Sequence, residues 1–176
     1  MTEHIFKQYD AELESVRAKV LQMGGLVEQQ IINALEALVT ANPKIAAEVM
    51  ESDRQVNALE VQVDEDCSHI IARRQPAAGD LRMIMMVVKT ITDLERIGDE
   101  ATKIARVAEK IYESDRLYKP RFNEIKSMVA LVREMLRTSL DAFARLDATK
   151  TVEVARQDEQ VDEQFRAAMR QLITFM

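Results

Sequence analysis

Apolar residues recur at intervals of three and four along stretches far longer than any strand. Ile84, Val88 and Ile91 mark one such stripe, and Val49, Val56, Val63 and Cys67 mark another. At about 100° per residue each set stays on one face of an α-helix. The breaks between stripes carry helix punctuation: Asn42-Pro43, Gln75-Pro76 followed by Gly79, Lys119-Pro120, and Asp147-Ala148-Thr149. Asn42 can cap a helix whose first position is Pro43, where a missing N–H costs nothing. The predicted elements are helices over roughly 6–40, 43–74, 77–115, 121–146 and 149–176. Short connections between long helices imply antiparallel packing, so the fold class is all-α.

One stripe is interrupted in a way that needs an explanation. Continuing Leu81, Ile84, Val88 and Ile91 along the same face leads to Glu95, Asp99 and Thr102, two carboxylates on the line of a core. An unpaired buried carboxylate costs several kcal/mol, on the order of what a small domain can spare. The preceding helix has its own acid row in Asp53, Asn57, Glu60 and Asp64, spaced to stay on one stripe. Glu60 and Asp64 thus mirror Glu95 and Asp99, and two facing helices would assemble four carboxylates. Such a cluster repels itself unless it is protonated or bridged by cations. Oxygen-only donors suit Mg²⁺, Mn²⁺, Ca²⁺ or iron, with zinc less natural. The competing reading is a set of surface salt bridges to Arg54, Lys89 or Arg96. A di-iron oxidase would need Glu-x-x-His pairs, and the two histidines, His4 and His69, do not supply them.

Beside the acids runs a basic heptad, Arg82, Lys89, Arg96 and Lys103, a candidate contact row for an anion or an acidic partner. Charge compensation on a solvated face explains the same spacing. Arg73 and Arg74 complement the end of the second helix dipole.

The chain also repeats itself. Shifting residues 26–57 onto 131–162 pairs Leu26 with Leu131, Val27 with Val132, Leu35 with Leu140, Val49 with Val154, Asp53 with Asp158 and Val56 with Val161. Helices one to three then form one repeat, residues 1–117, and helices four and five begin a second, residues 118–176. The second copies of Glu95 and Asp99 would fall past Met176, so a sixth helix is expected to be lacking. Phe165 and Met169 stand where copies of Glu60 and Asp64 would be, leaving Asp158 and Asp162 as a weaker, incomplete second acid site. An apolar face around Val154, Val161, Phe165 and Leu172 is expected to need cover from another subunit.

Composition narrows the function classes. Of 176 residues, 47% are apolar and only four are Gly and three Pro, which suits long helices with a real core. Gly24-Gly25 inside the first helix would weaken it by about 1 kcal/mol per glycine unless close packing compensates. A net charge of -6 disfavours general nucleic-acid binding. No run of about 20 apolar residues is present, and the first residues lack a signal-peptide pattern, so a cytoplasmic location is expected. Cys67 reads as a buried hydrophobe in a reducing compartment. Nucleophile elbows, phosphate loops and Ser/His/Asp spacings are absent, so no enzymatic role is expected; the alternative is a carboxylate-based metal hydrolase or oxidase.

The segment RRQPAAGDLRMIMMVVKTITDLERIGDEATKIAR, residues 73–106, closely resembles the PhoU family, and NALEVQVDEDCSHIIARRQP continues the likeness through helix two. AELESVRAKVLQMGGLVEQQI resembles that family's opening helix, and FARLDATKTVEVARQDEQVD the start of its second repeat. The resemblance implies tandem three-helix bundles, the second incomplete here, and acid motifs that in some members bind multinuclear iron, zinc or other divalent ions. By position those ligands would be Glu60, Asp64, Glu95 and Asp99. It further implies a negative regulator of the phosphate-starvation (Pho) response. Such a regulator joins the ATPase subunit (PstB) of the phosphate ABC transporter to a sensor histidine kinase (PhoR), works as a homodimer or higher homo-oligomer, and meets the membrane only through its partners.

Overall fold

The computed structural model describes the backbone of residues 2–113 and 122–174, and the side chains of 7–111 and 122–170. Helices α1 (Thr2–Thr40), α2 (Pro43–Arg74), α3 (Ala78–Glu113), α4 (Asn123–Arg145) and α5 (Thr151–Thr174) follow in order, with one 3₁₀ turn at Ala148–Lys150 before α5. The described residues contain no strand. The predicted boundary between the repeats, at residue 117, lies outside the described residues.

Helix ends obey the expected chemistry. The Asn42 side chain accepts from the Lys44 N–H at 3.0 Å, with Pro43 in the first turn. Gln75 closes α2 in the left-handed conformation, its N–H donating to the Ile71 carbonyl at 3.2 Å. At the end of α4, Leu146 is also left-handed, and the Asp147 N–H reaches back to the Ala142 carbonyl at 2.9 Å. Asp147 then caps the 3₁₀ turn by accepting from the Thr149 N–H at 2.9 Å. One residue thus ends one helix and starts the next.

Helices α1, α2 and α3 pack against one another as a three-helix bundle. Its core rows alternate steps of three and four, the heptad spacing of coiled-coil packing. On α1 the row is Leu13, Val16, Val20, Met23, Val27, Gln30, Ala34 and Ala37. On α2 it is Ala46, Val49, Asp53, Val56, Glu60, Val63, Cys67 and Ile70; on α3 it is Ile84, Val87, Ile91, Leu94, Gly98, Ala101, Ala105 and Ala108. Polar ties bind one end of the bundle. The Tyr9 hydroxyl donates to Asp80 at 2.9 Å, Arg74 grips Glu12 through two nitrogens at 2.6 and 3.0 Å, and Lys19 meets Asp66 at 2.6 Å. Arg74 holds the Glu12 carboxyl below its usual range.

Helix α4 lies antiparallel to α1, and α5 packs on α4 and the 3₁₀ turn alone among the described elements. Among the described residues no third helix packs on both α4 and α5. Arg17 donates to the Ala144 carbonyl at 2.6 Å, and Arg133 and Arg137 converge on Glu28 at 3.0 and 2.7 Å. The two adjacent glycines play different parts in this joint. Gly24 is buried, and a Cβ there would stand 2.6 Å from both Leu140 methyl groups, whereas a Cβ on Gly25 would meet nothing within 4 Å. Close approach of α4 thus offsets the helix-weakening cost at Gly24 and not at Gly25. The anticipated apolar face of α5 is only partly turned inward: Val154 and Val161 are half-buried, Phe165 is 56% exposed, and Leu172 lies outside the described side chains.

Gly24→Ala is expected to lower stability by about 1–2 kcal/mol through overpacking, and Gly25→Ala to raise it by up to about 1 kcal/mol. Denaturant melts of the two variants check this; the same sign for both would refute the close-approach account.

Candidate functional site

The polar centre sits halfway along the bundle, where its three core rows lose their hydrocarbon at one level. Gln30 from α1 is 1% exposed, and its Nε2 donates to Asp53 Oδ1 of α2 at 3.4 Å. Gly98 on α3 leaves the space that the amide fills: a Cβ there would lie 2.8 Å from Gln30 Oε1 and 3.6 Å from Asp53 Oδ1. Gln30 Oε1 and the hydroxyl of buried Thr102 have no hydrogen-bond partner. A large buried amide facing a glycine is thus a built feature of the bundle, since an alanine would force the amide to move.

Around this layer the acids are arranged differently from the sequence expectation. Asp53, Glu60, Glu95 and Asp99 are all half-buried, at the seam between α2 and α3. Asp64 is exposed and does not join them. Core-facing α2 positions follow the heptad 49, 53, 56, 60, 63, so Asp53 and not Asp64 is the inward companion of Glu60. Leu81, placed on the acid stripe by its spacing, is likewise 38% exposed. Burial pushes the Glu95 carboxyl above its usual range, and Asp99, Glu60 and Asp53 push it further; Arg96 partly opposes them. None of these four carboxylates makes an ion pair among the described residues, which removes the salt-bridge reading for them. Arg54 pairs instead with Glu51 at 2.8 Å, and Arg96 lies 3.9 Å from Asp93.

A cation would suit this donor set in chemistry, with four carboxylates beside an unpartnered amide oxygen. Position is another matter. Among the described residues no three His, Cys, Asp or Glu side chains converge closely enough to hold a metal ion as they stand.

The second-repeat acids, Asp158 and Asp162, are both exposed, and Asp162 is tied to Arg166 at 2.9 Å. The buried polar residue of α5 is Gln157, with an unpartnered Oε1. No second copy of the acid centre is built there. The basic heptad is exposed throughout but not uniform: Lys103 is bound to Glu100 at 2.8 Å and Arg96 leans toward Asp93, while Arg82 and Lys89 form no ion pair among the described residues. Cys67 is buried, and its thiol is pushed up to about 11 by burial and by Asp64 and Asp66, so it is no nucleophile.

Between α3 and α4 an apolar groove of about 650 Å³ runs past Met86, Leu94, Ile97, Val132, Leu136 and Phe143. It holds none of the four acids.

The PhoU domain profile matches residues 20–108 and 125–176. This chain belongs to the PhoU domain family. A phosphate-specific transport system accessory protein PhoU homolog of Pseudomonas putida is 48% identical over the whole chain, which spans 68% of that relative. The crystal structure of PhoU from Pseudomonas aeruginosa superposes with a TM-score of 0.89 at 46% identity, over 96% of this chain and 80% of that one. The phosphate transport system regulatory protein PhoU from Streptococcus pneumoniae gives 0.86 at 27% identity, over 96% and 78%.

Gln30 and Gly98 are the site residues that stripe reasoning missed. The signal was available: extending Val20, Met23 and Val27 by alternate threes and fours lands on Gln30, and extending Ile84, Val87, Ile91 and Leu94 lands on Gly98.

Proposed function

We propose that this PhoU-family chain is a regulatory accessory of phosphate transport. The observation that carries the reading is whole-chain similarity to phosphate-specific transport accessory proteins, joined to a matching bundle architecture. In its finer form the chain restrains the phosphate-starvation response by contacting the transporter's ATPase subunit and the sensor histidine kinase. Long helices with exposed charged faces suit an adaptor that works by surface contact, and the described helices include none long and apolar enough to cross a membrane. Expressed in a bacterium deleted for its own PhoU, the chain is expected to restore repression of alkaline phosphatase in phosphate-rich medium. Unrepressed phosphatase in cells that accumulate the folded protein would overturn the reading.

A divalent cation at the half-buried acids is the second part of the proposal, favoured by four carboxylates that form no ion pair among the described residues. Asp53, Glu60, Glu95 and Asp99 would have to turn inward to hold it, and the ion's charge would relieve their repulsion. Binding only to the folded state would then stabilise the bundle. Without the ion, Glu95 gives the sign of the pH effect. A carboxyl raised in the folded state binds its proton more tightly there than in the unfolded chain, so its contribution favours folding at low pH. That contribution is lost as pH rises through the folded-state value. In chelator, Glu95→Gln is expected to raise Tm at pH 7.5 and leave it unchanged at pH 4; with Mn²⁺ the wild type and Asp64→Asn gain Tm and Glu95→Gln does not. A Mn²⁺ gain absent from the wild type, or removed by Asp64→Asn, would contradict this site.

A further inference from the structure

The first three turns of α3 carry a surface that the acid centre does not use. Between Asp80 and Asp93 the only charged residues are Arg82 and Lys89, and both are exposed without an ion pair among the described residues. Asp80 itself is engaged by the Tyr9 hydroxyl at 2.9 Å. Between the two cations stand Met85 and Met86, 48% and 38% exposed, with Leu81 beside them at 38%. Isolated exposed apolar residues need no explanation, but adjacent methionines framed by two unneutralised cations form a contiguous patch. Methionine's flexible, polarisable side chain suits surfaces that adapt to a partner. The lower half of the same basic row differs, because Arg96 and Lys103 already have Asp93 and Glu100 as neighbours.

Geometry selects the shape of the occupant. Arg82 and Lys89 are one heptad apart, which at 1.5 Å per residue sets them about 10 Å apart along α3. The methionines fill the interval at i+3 and i+4 from Arg82. A partner helix laid along this ridge meets the same spacing if it carries carboxylates one heptad apart around an apolar pair. We infer that Arg82, Met85, Met86 and Lys89 form a docking surface for an acidic amphipathic helix of a partner protein. Charge complementarity commits the occupant: nothing acidic on α3 competes between the two cations, and a basic or neutral helix would leave both unneutralised. The inference names the partner chemistry of the regulatory role proposed above and rests on that role for its biological meaning.

Two labelled helical peptides test it directly. Both have a leucine pair at the centre; one is framed by glutamates a heptad apart, the other by lysines. Fluorescence anisotropy with the full 176-residue chain is expected to show the acidic peptide binding about tenfold or more tighter than the basic one. R82E/K89E should reverse that preference, M85S/M86S should weaken the acidic peptide severalfold, and R96E should change it less than twofold. Circular dichroism spectra and melts matching wild type confirm that each variant is folded.

Equal binding of the two peptides, or an R96E loss as large as that of R82E/K89E, would overturn the assignment. Binding to phosphatidylglycerol vesicles with both peptides inert would assign the patch to a lipid surface instead, and self-association abolished by M85S/M86S would assign it to a second copy. The phosphatase assay separates the two claims. Repression with no peptide discrimination fails the surface alone, whereas discrimination without repression fails the regulatory reading alone.

Discussion

A bundle with heptad spacing must decide what occupies every core level, and here one level is polar on two helices and empty on the third. Gln30 brings an amide, Asp53 a carboxylate, and Gly98 the absence of a side chain that makes room for them. Burying the amide with an unpartnered oxygen works against stability, so the hydrocarbon levels on either side must outweigh it. Val27, Val56, Leu94 and Ala101 are buried next to that level and supply the compensation. A polar residue in such a row also fixes register, because sliding a helix by one heptad would strand the amide against hydrocarbon. Register in turn determines that Glu95 and Asp99 on α3 share a seam with Asp53 and Glu60 on α2. The acid centre is a consequence of how the middle level is filled.

The rest of the molecule builds outward from that bundle. Gly24 lets α4 come close along α1, the Arg17 and Glu28 contacts fix its direction, and Asp147 turns the chain into α5. Among the described elements α5 rests on α4 and the turn before it, and α4 in turn rests on α1. The half-buried acids lie within the bundle of α1, α2 and α3, and Arg82, Met85 and Lys89 of α3 lie on its outer side, with Met86 at the edge of the α3–α4 groove.

Much of this was legible in the sequence. Asn42-Pro43, Gln75 and Asp147 mark helix ends because local capping chemistry decides them. The site was half legible, for a reason of geometry. A stripe drawn at 100° per residue drifts by about 20° per heptad from the face that a 3.5-residue repeat keeps turned inward. On α3 the 100° stripe runs through Glu95 and Asp99 while the heptad row runs through Leu94 and Gly98, so the two acids lie half-buried beside the core row. The same drift carries Leu81 and Asp64 outward, and it hides Gln30 and Gly98, which the heptad row finds. Ion pairing across turns, which separates Arg96 and Lys103 from Arg82 and Lys89, depends on rotamers that spacing does not specify.

The central claim is that Gly98 is glycine because the Gln30 amide fills its place, and a double-mutant cycle in denaturant melts tests it most directly. Gly98→Ala should destabilise the protein by about 1–3 kcal/mol despite alanine's better helix propensity. Adding Gln30→Ala should recover much of that loss, giving a coupling of about 1 kcal/mol or more between the two positions. Additive effects, or a stabilising Gly98→Ala, would contradict the account.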